Sequence, residues 1–188
     1  MPSANDDVKA TPGPGGAPLF DARAQIALSA APHAVYAVIS DLPRSGEWSP
    51  ECLGGSWLFG EPATVGAVFR GENLRHESVV SWAPVVRGKW TTESEIVAAE
   101  PGRTFRWAMR DTAGRKQRSV WGFDLAPAGE GSVLIHHFRM DAPTEGIRGI
   151  TAGMDQADED RFFAEWGAKV AGDLAVTLER VKAVVDKR

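Results

Sequence analysis

The feature that most constrains this chain is a change of period along it. Seven stretches alternate apolar and polar residues, and one long C-terminal stretch then repeats its apolar residues at helical spacing. Phe20, Ala22, Ala24, Ile26 and Leu28 face one way, with Asp21, Arg23 and Gln25 opposite. Leu53 to Phe59 alternates through Gly55 and Trp57. Ala67 to Asn73 places Phe69, Gly71 and Asn73 against Arg70 and Glu72. Trp90, Thr92, Ser94 and Ile96 oppose Thr91, Glu93 and Glu95. Phe105, Trp107 and Met109 oppose Thr104, Arg106 and Arg110. Ser119, Trp121, Phe123 and Leu125 oppose Arg118 and Asp124. Leu134, His136, Phe138 and Met140 oppose Val133, Ile135, His137 and Arg139. A period of two with one apolar face predicts antiparallel strands packed on one side only. Turn residues divide them, as at Glu100-Pro101-Gly102 and Thr112-Ala113-Gly114.

From about Gln156 to Val185, the residues Phe163, Trp166, Val170, Leu174, Leu178, Val181 and Val185 form one helical stripe. Acidic residues crowd its start and basic residues its end, as the helix dipole favours. A helix of that length spans about 45 Å, enough to cross a whole sheet. After the first strand, Pro32 opens a short helix through Val35, Val38, Ile39 and Leu42, and Pro43 ends it or starts a second one through Trp48. Strands segregated from a final helix define an α+β class. Seven strands must curl, and one helix cannot fill their whole concave side. The expected architecture is therefore a curved seven-stranded antiparallel sheet around a long C-terminal helix. Between them lies a cavity, or a plug of large side chains.

The chain carries seven Trp against one Tyr, which suits the walls of a cavity for flat, apolar molecules. A formal net charge of -4 gives no field for nucleic acid or an anionic membrane. The lone Cys52 excludes an internal disulfide and fits a reducing compartment. No apolar run has the length of a membrane span, and the N-terminus does not read as a secretory signal. The expectation is a cytoplasmic protein with no nucleic-acid partner. The Pro/Gly-rich residues 1–18 are expected to be a disordered tail before a single domain over 19–188.

Several sequence words carry a family resemblance. They are Ile39-Ser40-Asp41-Leu42-Pro43 running into Gly46-Glu47-Trp48-Ser49-Pro50-Glu51, then Val65 to Asn73, Trp90-Thr91-Thr92, Ala99 to Arg103, and Thr177 to Lys182. Together with the element order they resemble the SRPBCC superfamily, also called START-like or birch-allergen-like. Within it the chain is similar to the bacterial polyketide cyclase/dehydrase group. The resemblance covers roughly residues 20–188 and implies the helix-grip fold. It departs from the usual pattern at Leu74 to Lys89, which is extended and carries Val79, Val80, Trp82, Val85 and Val86. That segment is read as a long hairpin, a dimer contact, or a lid carrying Trp82 and Val85.

No metal constellation appears, since His136 and His137 are neighbours on a strand and point to opposite faces. The polar groups on inward faces are the candidates for chemistry. His136, Asn73 and Glu51 are the candidate catalytic residues. His136 would move a proton, Asn73 would hold an enolate or carbonyl oxygen, and Glu51 would serve as a desolvated acid or base. The candidate cavity lining is Trp48, Trp57, Phe69, Thr92, Ser94, Trp107, Ser119, Trp121, Phe123, Phe138 and Trp166. The resemblance implies a cyclase/dehydratase that works without a cofactor on a hydrophobic polyketide-like substrate. The alternative is a carrier, sensor or sequestering protein for an apolar small molecule. Either reading suits a monomer or a homodimer.

Overall fold

A computed structural model describes residues 17–187. The expected disorder of residues 1–18 therefore lies, but for 17 and 18, outside the described residues. The first strand, β1 (Phe20–Leu28), is followed by α1 (Pro32–Ile39) and a 3-10 helix over Leu42–Glu47. Six strands come next: β2 (Cys52–Phe59), β3 (Val68–Arg75), β4 (Gly88–Glu100), β5 (Thr104–Arg110), β6 (Lys116–Ala128) and β7 (Gly131–Met140). Two helices close the chain, α2 (Glu145–Thr151) and α3 (Gln156–Val185).

The seven strands form one antiparallel sheet in the order β1-β7-β6-β5-β4-β3-β2. β2 to β7 meander, each strand returning beside the last. β1 joins the far end through a full register with β7, from Phe20 opposite Met140 to Leu28 opposite Ser132. Register shifts interrupt β2–β3, β4–β5 and β5–β6, and such bulges bend and twist a sheet. The result is the helix-grip arrangement, with the concave face turned toward α3. Gly54, at φ +119°, lets the 3-10 helix close on β2, because a Cβ there would sit 2.5 Å from the carbonyl oxygen of Pro43.

α3 begins where Asp155 caps the backbone N–H of Asp158 at 2.9 Å, with Asp158 and Glu159 in its first turn. It supplies the centre of two hydrophobic clusters. Leu178, Val181 and Val185 pack with Val35, Ile39, Phe105, Phe123 and Leu134 at the α1 end. Phe162, Phe163, Val170 and Leu174 pack with Phe20, Phe138, Met140 and Ile147 at the other end. Each of these aliphatic or aromatic side chains contributes about 1.5–3 kcal/mol on full burial. The clusters run along the helix through its middle, while Lys169, Asp173 and Thr177 beside them face open space over the sheet.

α2 and the path of residues 76–87 are not visible in the sequence pattern. The segment between β3 and β4 is the loop of a long hairpin, since Arg75 pairs with Gly88, and it packs on the domain. Val80, Ala83 and Val85 are buried against the N-terminal half of α3. Trp82 donates its indole N–H to Glu165 at 2.9 Å and lies under the Arg161 guanidinium. Inside the loop, Arg87 donates to the carbonyls of Glu77, Val79, Val80, Ala83 and Val85. One cation thus satisfies backbone acceptors that a turn-rich loop otherwise leaves open. No helix among the described residues is long and apolar enough to cross a membrane.

Candidate functional site

Between the concave face and the middle of α3 lies a cavity of about 630 Å³, a volume typical of small-molecule sites. Its floor follows from strand register. Trp107 lies opposite Trp121, and Trp121 opposite Phe138, so three aromatics cross three strands in one row. The Trp121 and Phe138 rings are 4.2 Å apart and 32° from parallel. On one side of this row, Ser94 pairs with Met109 and Ser119 with Met140. On the other side, Phe105, Phe123 and His136 lie in sequence across β5, β6 and β7. The roof is one face of α3: Trp166, Lys169, Val170, Asp173 and Thr177 are spaced three or four residues apart, or adjacent. Trp48 closes one end, and Ile147 and Ile150 of α2 close another. Five of the seven tryptophans line the cavity: Trp48, Trp90, Trp107, Trp121 and Trp166.

The polar groups fall into three sets. His136 is only 4% exposed and stacks on Phe123 at 4.1 Å. Its Nδ1–H donates to the carbonyl of Gly122 at 2.9 Å, since a carbonyl can only accept. Burial pushes its pKa down to about 3; that bond opposes the fall, and His137 adds slightly to it. Asn73 donates its side-chain amide to the carbonyl of Gly71 and to Thr92 Oγ1, at 3.3 and 3.2 Å. Ser94 and Ser119, 5% and 2% exposed, line the cavity and make no side-chain hydrogen bond within the described residues.

The third set is an ion cluster. Arg75 donates to Glu51 at 2.5 Å and to the Val86 carbonyl at 2.9 Å. Its guanidinium lies 4.3 Å from the Trp90 ring centroid and 5.1 Å from that of Trp166. Lys169 reaches the other oxygen of Glu51 and bridges to Asp173 at 2.6 Å. Both oxygens of Glu51 are thus occupied by cations. Two cations and two carboxylates balance where unpaired charges would be costly.

His136, Asn73 and Glu51 all line this cavity, but each is held by a different partner set. Trp48, Phe69, Thr92, Ser94, Trp107, Ser119, Trp121, Phe138 and Trp166 also line it. Trp57 and Phe123 do not. Trp57 shares the concave face, directly opposite Phe69, but it stands on the edge strand, and Phe69 lies edge-on to it at 5.2 Å. Phe123 is fully buried, covered by the edge of Trp48 and the face of His136. Trp82 and Val85 are not lining residues either; their loop reaches the cavity only through Val86. The sequence reading passed over Arg75, Trp90 and Lys169. Arg75 follows Asn73 at strand parity, and the signal was lost by ending β3 at Asn73. Trp90 shared the inward parity of Thr92 and Ser94. Lys169 lay beside the apolar stripe as a charge three residues from Trp166. Among the described residues, no group of three or more His, Cys, Asp or Glu is placed to hold a metal ion.

A seven-stranded sheet gripping one long helix over an aromatic cavity places this chain in the helix-grip class. It belongs to the family described as polyketide cyclase / dehydrase and lipid transport, which it matches over residues 20–186. A Polyketide_cyc-like protein, Cgl2372 from Corynebacterium glutamicum, is 28% identical, with a TM-score of 0.58 over 88% of this chain and 91% of its own. The di-domain ARO/CYC protein StfQ of the steffimycin biosynthetic pathway is 14% identical, with a TM-score of 0.63 over 89% of this chain and 51% of its own. Ara h 8.0201 is 11% identical, with a TM-score of 0.56 over 90% of this chain and 99% of its own. The last two likenesses are of fold alone. A search of curated proteins finds no match.

Proposed function

We propose that this domain binds a planar, largely apolar small molecule carrying oxygen substituents, held face-on against the Trp107–Trp121–Phe138 row. That row is the observation that carries the reading: three aromatics opposite one another across three strands all line an internal cavity, with the Trp121 and Phe138 rings in contact, and they offer apolar faces to a flat ring system. The family description and the ARO/CYC neighbour support a ligand of polyketide type. A titration with a planar hydroxylated polycycle such as emodin tests it. The expected result is saturable quenching of tryptophan fluorescence with Kd of about 10 µM or tighter, weakened about tenfold or more in Trp121→Ala. No saturable binding up to about 100 µM would contradict it.

A second reading, cyclisation and dehydration of a poly-β-ketone, is favoured by one observation. An amide at Asn73, two hydroxyls and a neutral imidazole share one apolar cavity, and these groups can hold an enolate oxygen and exchange its proton. Glu51, with both oxygens in ion pairs, fits a counter-ion better than a proton carrier. An imidazole with a pKa near 3 is poorly matched to base catalysis at neutral pH. For these reasons binding is the primary reading. Mass spectrometry of a poly-β-ketone incubated with the protein separates the two. A product lighter by one water, lost in Asn73→Ala, supports catalysis; an unchanged substrate supports binding alone.

A further inference from the structure

We infer that His136 selects the ligand, admitting at its end of the cavity a molecule that presents a hydrogen-bond donor, a hydroxyl above all. This rests on the ligand-binding reading and goes beyond it by assigning a chemical group to a place. The argument is one of satisfaction. Nδ1 of His136 is committed as donor to the Gly122 carbonyl, so the neutral ring presents Nε2 only as an acceptor. That nitrogen has no partner within the described residues, while the residue is 4% exposed and lines the cavity. The nitrogen opens on the cavity, so a ligand seated against it without a donor leaves the acceptor unmet, and one that supplies a donor satisfies it. Stacking on Phe123 at 4.1 Å and 14° from parallel fixes the ring plane and hence the direction of the lone pair.

The other end of the floor does not discriminate in this way. Ser94 and Ser119 carry hydroxyls, which donate or accept as the ligand requires. Ser119 and Phe123, the cross-strand partner of His136, are four residues apart along β6, or about 13 Å at 3.3 Å per residue. Trp121 lies midway between them. A flat molecule resting on Trp121 and Phe138 therefore meets an acceptor toward one end and adaptable hydroxyls toward the other. Its orientation follows from which end carries the donor.

The test is calorimetric titration of the full chain at pH 7 with 2-naphthol, 2-methoxynaphthalene and naphthalene. All three are planar, and only 2-naphthol has a donor. The expected result is that 2-naphthol binds about tenfold or more tightly than either other compound, the worth of one recovered hydrogen bond. In His136→Phe, which keeps a ring to stack on Phe123, that ratio should fall to near one. Should His136→Phe fail to fold, His136→Leu gives the same comparison without an acceptor. Equal affinities in the wild type would overturn the inference, as would a preference that survives in either variant. If none of the three binds, the ligand-binding reading itself fails and takes the inference with it.

Discussion

Replacing Glu51 by Gln leaves Arg75 and Lys169 without the carboxylate they share. The Arg75 side chain is 7% exposed and that of Glu51 15%, so solvent cannot fully take over. Removing one partner of a buried pair costs about 3–5 kcal/mol; with Lys169 more open, and with Asp173 retained, about 2–3 kcal/mol is expected here. Urea denaturation should report this loss. A change under about 0.5 kcal/mol would show that the cluster is solvated after all. His136 gives a second residue-scale prediction. Its folded pKa, about 3, lies below the ordinary value of 6.5. The unfolded chain therefore binds the proton first, and stability is full above pH 6.5 and falls as pH drops toward 3. The slope from this residue approaches about 1.4 kcal/mol per pH unit. His137, on the opposite face beside Asp124 and Arg106, is also held below its usual pKa by burial and adds in the same direction. Between pH 7 and pH 5, wild type should lose about 2 kcal/mol more than His136→Phe. Equal losses would place the proton elsewhere.

At the scale of elements, the loop 76–87 has its own core in Arg87 and its own anchor in Trp82. Arg87→Met should unfasten five backbone carbonyls while leaving the sheet and α3 paired. Hydrogen exchange at residues 77–85 is expected to quicken about tenfold or more, with β6 and β7 unchanged. The expectation of a lid at Leu74 to Lys89 predicts that ligand release quickens with it. An unaltered release rate would leave the loop a structural brace only. This loop also marks where the sequence was least legible. Strand parity placed most of the sheet because a period of two leaves little freedom once one face is buried. The same parity could not foresee that β3 runs on to Arg75, because an Arg on the inward face reads as a strand end unless its partners Glu51, Trp90 and Trp166 are known. Nor could it foresee that Trp57 is screened by Phe69, which depends on β2 being the sheet edge. α3 was legible over its full length, since its apolar stripe, acidic start and basic end agree.

For the whole molecule, the decisive fact is that two hydrophobic clusters hold α3 along its length and neither fills the space faced by Lys169, Asp173 and Thr177. Ser94 stands at that space, between Phe69 and Met109 across the strands. Ser94→Phe is expected to fill part of the cavity and weaken ligand binding about tenfold or more, with the folded state retained. The fold followed from the sequence by counting elements, because seven strands and one helix leave a gap; whether a cavity or a plug of large side chains fills it was left open, and the structure shows the cavity. The chemistry inside did not follow, because it depends on which polar groups find partners across strands distant in sequence. The most direct measurement of the central claim is the set of intermolecular NOEs from a bound planar ligand to methyl groups of the protein. Met109 and Met140 on the sheet side and Val170 on α3 line the cavity from opposite walls. The account predicts NOEs from one ligand to all three methyl sites at once. NOEs confined to exposed apolar residues such as Leu53, Phe59 and Leu74, with none to Val170, would contradict it.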